Sequence, residues 1–166
     1  MIRKSLVEIE KEASKRGLLL RIQVRRPINI WSFRIVVAEA KSPEKIQLLG
    51  EMKGWAYPTR KGLQLDVMKV RKDSNSEVGD LIWASTMAWA LEETPCKRAR
   101  LLAIYDENNQ HKILQRYFRS RGFNTVRNVG SSPLDLPLRL VWGGAGAFMV
   151  GNCEEVFDRS YRSWSE

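Results

Sequence analysis

The chain has 166 residues, 43% hydrophobic and 28% charged, with 28 Lys and Arg against 19 Asp and Glu for a net charge of +9. That length and balance predict a single soluble globular domain, and charged residues interrupt every apolar stretch before the ~20 residues that a membrane helix needs. Cys96 and Cys153 lack C-x-x-C spacing, which argues against both a disulfide framework and a zinc site, so no metal is expected.

Residues 2–16 carry Ile2, Leu6, Ile9 and Ala13 at helical spacing, and Gly17 ends that helix. They include no secretory apolar core or small-residue cleavage site, so the expected location is cytoplasmic. Leu18 to Arg25 is strand-like, Pro27 and Asn29 make a turn, and Trp31 to Ala40 is a second strand rich in β-branched and aromatic residues. Ser42-Pro43 breaks the chain before a third strand from Lys45 to Tyr57. Pro58 to Gly62 turns it into a fourth, in which Leu63, Leu65, Val67, Met68 and Val70 continue an antiparallel meander.

Residues 77–93 form the next helix. They are apolar around most of the circumference, which predicts burial on more than one side, and Pro95 follows. A strand over 99–105 leads to an amphipathic helix over 109–121. There Ile113, Leu114, Tyr117 and Phe118 share helical spacing, and Gly122 supplies the positive φ that ends a helix. A strand over 122–129, a loop from Ser131 to Pro137, a short strand from Leu138 to Trp142 and a last strand over Ala147–Val150 complete the α/β pattern. The tail from Asn152 is amphipathic, without a clear element type.

The basic residues are dispersed in small groups such as Arg25-Arg26, Arg71-Lys72, Lys97-Arg98-Arg100 and Arg116-Arg119-Arg121. With no run of five like charges and no RNA-recognition or zinc-finger signature, a nucleic-acid partner rests on net charge alone. A solvated basic surface is the simpler account, with an anionic partner or ligand as the alternative. Six tryptophans fit either a Trp-rich core or, at Trp31, Trp55 and Trp142, an acceptor cleft or docking point.

The order strand, glycine-bearing loop, helix, strand, helix, Gly-Phe over about residues 62–129 resembles the cofactor-binding half of the GNAT acyltransferase superfamily. The resemblance implies one GNAT-like domain over 1–166. Its mixed, mainly antiparallel twisted sheet would have helices on both faces, and acetyl-CoA or another acyl-CoA would be the cosubstrate. Val67-Met68-Lys69-Val70 would pair with the pantetheine arm. The segment Ser76-Glu77-Val78-Gly79-Asp80-Leu81 would cradle the pyrophosphate, since free N–H groups and the helix dipole attract anions. The superfamily pattern has two glycines in this loop; here Gly79 alone is present, Glu77 stands at the earlier position, and Asp80 adds a second negative charge. Arg71 and Lys72 lie nearby.

The ending Arg116-Tyr117-Phe118-Arg119-Ser120-Arg121-Gly122-Phe123 is similar to the tyrosine-then-Gly-Phe ending whose tyrosine protonates the departing thiolate. Counting back four from Gly122 reaches Phe118. Tyr117 lies one position, about 100°, around the helix and is expected to face elsewhere unless the helix is distorted. The asparagine of that pattern falls on His111, with Asn108 and Asn109 just upstream. Tyr117 is thus the candidate acid, and Asn109 and His111 join Met68, Lys69, Val70, Val78, Gly79 and Asp80 as cofactor-binding candidates. Glu51 is the candidate base for an amine, with Glu39 comparable and Tyr105 a further proton donor. The implied activity is acyl transfer to a small-molecule or protein amine. The alternative is an inactive GNAT-fold module that binds or assembles protein partners. Family members usually open with a strand and two helices, whereas this chain is expected to begin with a single helix before its strands, so the acceptor does not carry over.

Overall fold

A computed structural model describes residues 3–71, 75–104, 110–129 and 146–166, and it shows a mixed α/β domain. Among the described residues seven strands form one sheet: β1 (Leu18–Arg25), β2 (Trp31–Ser42), β3 (Lys45–Ala56), β4 (Leu63–Val70), β5 (Arg98–Ile104), β6 (Phe123–Val129) and β7 (Gly146–Asn152). The described helices are α1 (Leu6–Lys15), α2 (Ser76–Glu93), α3 (Gln110–Arg121) and α4 (Cys153–Ser165). The strands run β1-β2-β3-β4-β5-β7-β6, and every neighbouring pair is antiparallel except β4 and β5. The mainly antiparallel α/β class is therefore the expected one. No described helix is long and apolar enough to cross a membrane.

Local chemistry explains the helix ends. Ser5 and Glu8 form a reciprocal capping box at the start of α1, and Asn75 and Asn152 cap α2 and α4. Gly122 takes φ +110° and ends α3, a conformation that costs a residue with a Cβ far more. The tail becomes a helix because Val156, Phe157, Ser160 and Trp164 fall on one buried face.

The core lies over one side of the sheet. Val37, Ile35 and Phe33 of β2 meet Met52 of β3 and the helix α2, whose residues from Val78 to Leu91 are all buried. Phe33 packs against Trp89 of α2, with the rings tilted by 41° and their centroids 4.8 Å apart. At Gly50 the helix comes so close that a Cβ would sit 2.7 Å from Ile82 Cδ1, which explains a glycine inside β3.

The helices also hold one another. The backbone N–H of Leu6 in α1 donates to Glu92 of α2, the Tyr161 hydroxyl of α4 donates to Glu12 of α1, and Arg121 of α3 pairs with Asp80 of α2. The opposite face of β1–β4 presents Arg21, Arg25, Arg34, Lys53 and Lys69, so these strands are amphipathic in the manner of a sheet with one wet side.

Two irregularities matter for function. Val67 lies opposite Lys53 and Leu65 opposite Gly54, so Asp66 is an extra, bulged residue in β4. Strands β4 and β5 pair only at Leu63–Ala99 and Gln64–Arg100. Beyond that point β4 keeps β3 and β5 keeps β7, so the sheet is split between its fourth and fifth strands.

Candidate functional site

The split opens a cleft of about 190 Å³ whose walls include Leu65, Val67 and Met68 of β4, Leu101 and Ala103 of β5, and Phe118 of α3. A wider groove of about 350 Å³ shares Met68, Leu114 and Phe118 with it and continues along Val70, Tyr117 and Arg121 to Asn75, Ser76 and Gly79 at the start of α2. The result is one path from an unpaired strand edge to a helix N-terminus. Its walls are mostly apolar at the strand end, and at the helix end it meets the first turn of α2, where the Asn75 side chain already accepts from the Glu77 N–H.

Four of the residues expected from the sequence meet in that groove: Met68, Val70, Gly79 and Tyr117. Gly79 lies close against Tyr117, since a Cβ there would crowd the Tyr117 hydroxyl at 3.3 Å. Tyr117 does not turn away as its helical position predicts. It is half-buried, and its hydroxyl accepts a hydrogen bond from Trp83 Nε1 at 2.9 Å, leaving its own proton available. Phe118 lines both halves of the groove and meets Trp83 edge-on at 6.0 Å. The offset of one residue therefore separates two side chains that still share one wall.

The other expected residues lie elsewhere. Lys69 is paired in register with Glu51 on the opposite sheet face, because the alternation that points Met68 inward points Lys69 outward. Glu51 is also on that face, nearly buried, and its Oε2 accepts from Arg34 Nε and Nη2 at 2.9 Å each. Val78 packs toward β3 beneath Gly50. Asp80 is buried, with its carboxylate 2.6 Å from Arg121 Nη2, and this pairing neutralises the charge that opposes an anion at the start of α2. Glu77, more exposed, lies 3.5 Å from Arg16. Arg71 lines a separate hollow with Glu39 and Glu77 on the far side of that helix start. His111 belongs to α3 by its backbone, and its side chain lies outside the described residues. Asn109, Asn108, Tyr105, Lys72 and the segment 131–142 also lie outside them.

Two residues gain importance from the geometry. Arg121 ties three helices: it pairs with Asp80, donates to Ser160 Oγ of α4 at 3.3 Å, and lies 5.3 Å over the Tyr117 ring. Asp66 borders the cleft on one side of the sheet and, on the other, a hollow of about 350 Å³ lined by Arg25, Arg34, Lys53, Trp55 and Val67. Gln64 Nε2 donates to Asp66 Oδ1 at 3.0 Å and holds the carboxylate on that outer side. No group of residues suited to hold a metal occurs among the described residues.

No protein-family model matches the chain, and no curated protein matches it. Among solved structures, the chain is similar to an uncharacterized protein from Bacillus halodurans, at 14% identity and a TM-score of 0.49. The match covers 80% of this chain and 64% of that one, so the chain spans less than two thirds of its length.

Proposed function

We propose that the protein is a divergent member of the GNAT superfamily that transfers an acyl group from acyl-CoA, as acetyl-CoA, to an amine. The observation that carries this reading is the split between β4 and β5, which continues as one groove to the start of α2. An extended pantetheine arm fits such a split because it supplies the amide partners that the edge of β4 lacks toward β5. The pyrophosphate end then meets the first turn of α2 beside Gly79, where the helix dipole favours negative charge.

In this reading the protein acts mainly by positioning. The amine nitrogen attacks the thioester carbonyl carbon, the C–N bond forms, and the C–S bond breaks with its electron pair leaving on sulfur. The nitrogen loses a proton to solvent, and the thiolate takes one. Tyr117 is the described phenol in the groove, with a proton to give. Glu51 is less suited to the base role than its strand position suggests, since Arg34 occupies one of its oxygens.

Calorimetric titration with acetyl-CoA tests the reading, with desulfo-CoA and ADP as controls. Micromolar binding supports it, and absence of binding at millimolar ligand overturns it. In that event the second reading, a protein-binding module on the same fold, takes its place.

A further inference from the structure

The hollow on the wet side of the sheet has a composition unlike that of the groove. It holds the cations Arg25, Arg34 and Lys53 against the single carboxylate Asp66, with the partly exposed Trp55 as an apolar wall. Arg34 is committed to Glu51, whereas Arg25 and Lys53 make no ion pair among the described residues. Two uncompensated cations beside a concave site attract an anion. The one carboxylate stands at the opposite end of that charge pattern, on the bulge, where the hollow and the β4–β5 cleft share Asp66 and Val67. The bulge makes the sharing possible, because the extra residue breaks the alternation that separates the two faces elsewhere.

We infer that the acyl acceptor is a small zwitterion: an amine that carries a carboxylate or phosphate a few bonds away. Its anionic group rests on Arg25 and Lys53, and its ammonium group rests on Asp66 at the boundary with the cleft. This assignment rests on the acyl-transfer reading for the word acceptor, but the binding site itself stands on the outer-face geometry alone. A hollow of about 350 Å³ suits a molecule of a few to a dozen heavy atoms, at the lower end of ordinary ligand pockets. The charge pattern excludes polyamines, which would meet Arg25, Arg34 and Lys53 with like charge.

The test follows the Trp55 indole and Gly54 amide signals by NMR while the whole protein is titrated with O-phosphoethanolamine, β-alanine, ethanolamine and putrescine. Phosphoethanolamine or β-alanine is expected to shift both signals saturably, and comparison of the two separates phosphate from carboxylate recognition. Ethanolamine and putrescine are expected to leave them in place. Lys53→Glu and Arg25→Glu, both at exposed positions, are each expected to weaken the anionic amine at least about tenfold without changing acetyl-CoA affinity. Asp66→Asn is expected to remove the preference for phosphoethanolamine over inorganic phosphate. Equal binding of putrescine, or no shift with either anionic amine, overturns the inference. If acetyl-CoA binds and no amine does, the zwitterion assignment fails and the acyl-transfer reading stands. If an anionic amine binds and acetyl-CoA does not, the acyl-transfer reading falls and the acceptor role falls with it.

Discussion

Tyr117 carries two separable roles. Its oxygen accepts from the indole N–H of Trp83, a side chain with no exposed surface, so removing the hydroxyl strands a buried donor. Tyr117→Phe is expected to lower unfolding free energy by about 1–3 kcal/mol in denaturant titrations with an unchanged slope. If the hydroxyl also protonates the thiolate, turnover falls while acetyl-CoA affinity holds; unchanged turnover removes it from the chemistry. Gly79 tests binding at the same groove. Gly79→Glu gains helix propensity, roughly 0.5–1 kcal/mol, but its Cβ crowds the Tyr117 hydroxyl at 3.3 Å and its charge enters the groove. Acetyl-CoA affinity is expected to fall at least about tenfold in protein that thermal melts show to be folded, and full affinity would show that the ligand does not pass this point.

At the scale of elements, the ion pair of Arg121 with Asp80 helps to dock α3. Arg121→Met leaves Asp80 charged, buried and unpaired, so a loss of about 3–5 kcal/mol is expected in chemical unfolding; replacing both partners with apolar residues should recover much of it. The existence of α3 was legible, since its apolar spacing and Gly122 mark both its face and its end. Its docking was not, because an acidic first turn and a basic last turn are ordinary at helix ends and do not reveal that Asp80 and Arg121 meet. The bulge left a trace that is easier to read afterwards: Leu63 and Leu65 alternate, and then Val67 and Met68 stand side by side around an aspartate that strands disfavour. Periodicity alone placed Tyr117 away from Phe118. It gives azimuth around a helix, whereas the length of a tyrosine decides what its hydroxyl reaches. Glu51 illustrates the same limit, since register with Lys69 puts it on the wet face and a strand carboxylate has no face in the sequence until its partners are known.

For the whole molecule, two raised protons, on the buried Cys153 and the partly exposed Tyr161, bear on alkaline stability. Burial pushes the Cys153 thiol up to about 12, and burial with the Glu12 hydrogen bond pushes the Tyr161 hydroxyl up to about 12. Both groups hold their protons more tightly when folded. Their stabilising effect is therefore complete below their unfolded values, roughly 8.5 for a thiol and 10 for a phenol, and is lost as pH rises toward 12. Thermal melts at stepped pH should show the midpoint falling from about pH 9 upward, with Tyr161→Phe flattening the upper part of that fall. Cys96, also raised by burial, and Cys153 should both resist a thiol reagent at pH 8 until the chain unfolds.

The position of β7 has a consequence for biosynthesis. It is the last strand in the chain, yet it lies between β5 and β6 and pairs with both. Until residues 146–152 leave the ribosome, β5 and β6 each present a bare hydrogen-bonding edge with no neighbour to close it. The nascent chain therefore passes through an interval in which its C-terminal half is adhesive, and completion of the sheet waits on its final strand. A chain ending at residue 145 should be made and then aggregate or be degraded, whereas adding residues 146–166 as a separate peptide should rescue part of its solubility. Failure of that peptide to associate would show that the last strand must arrive covalently attached.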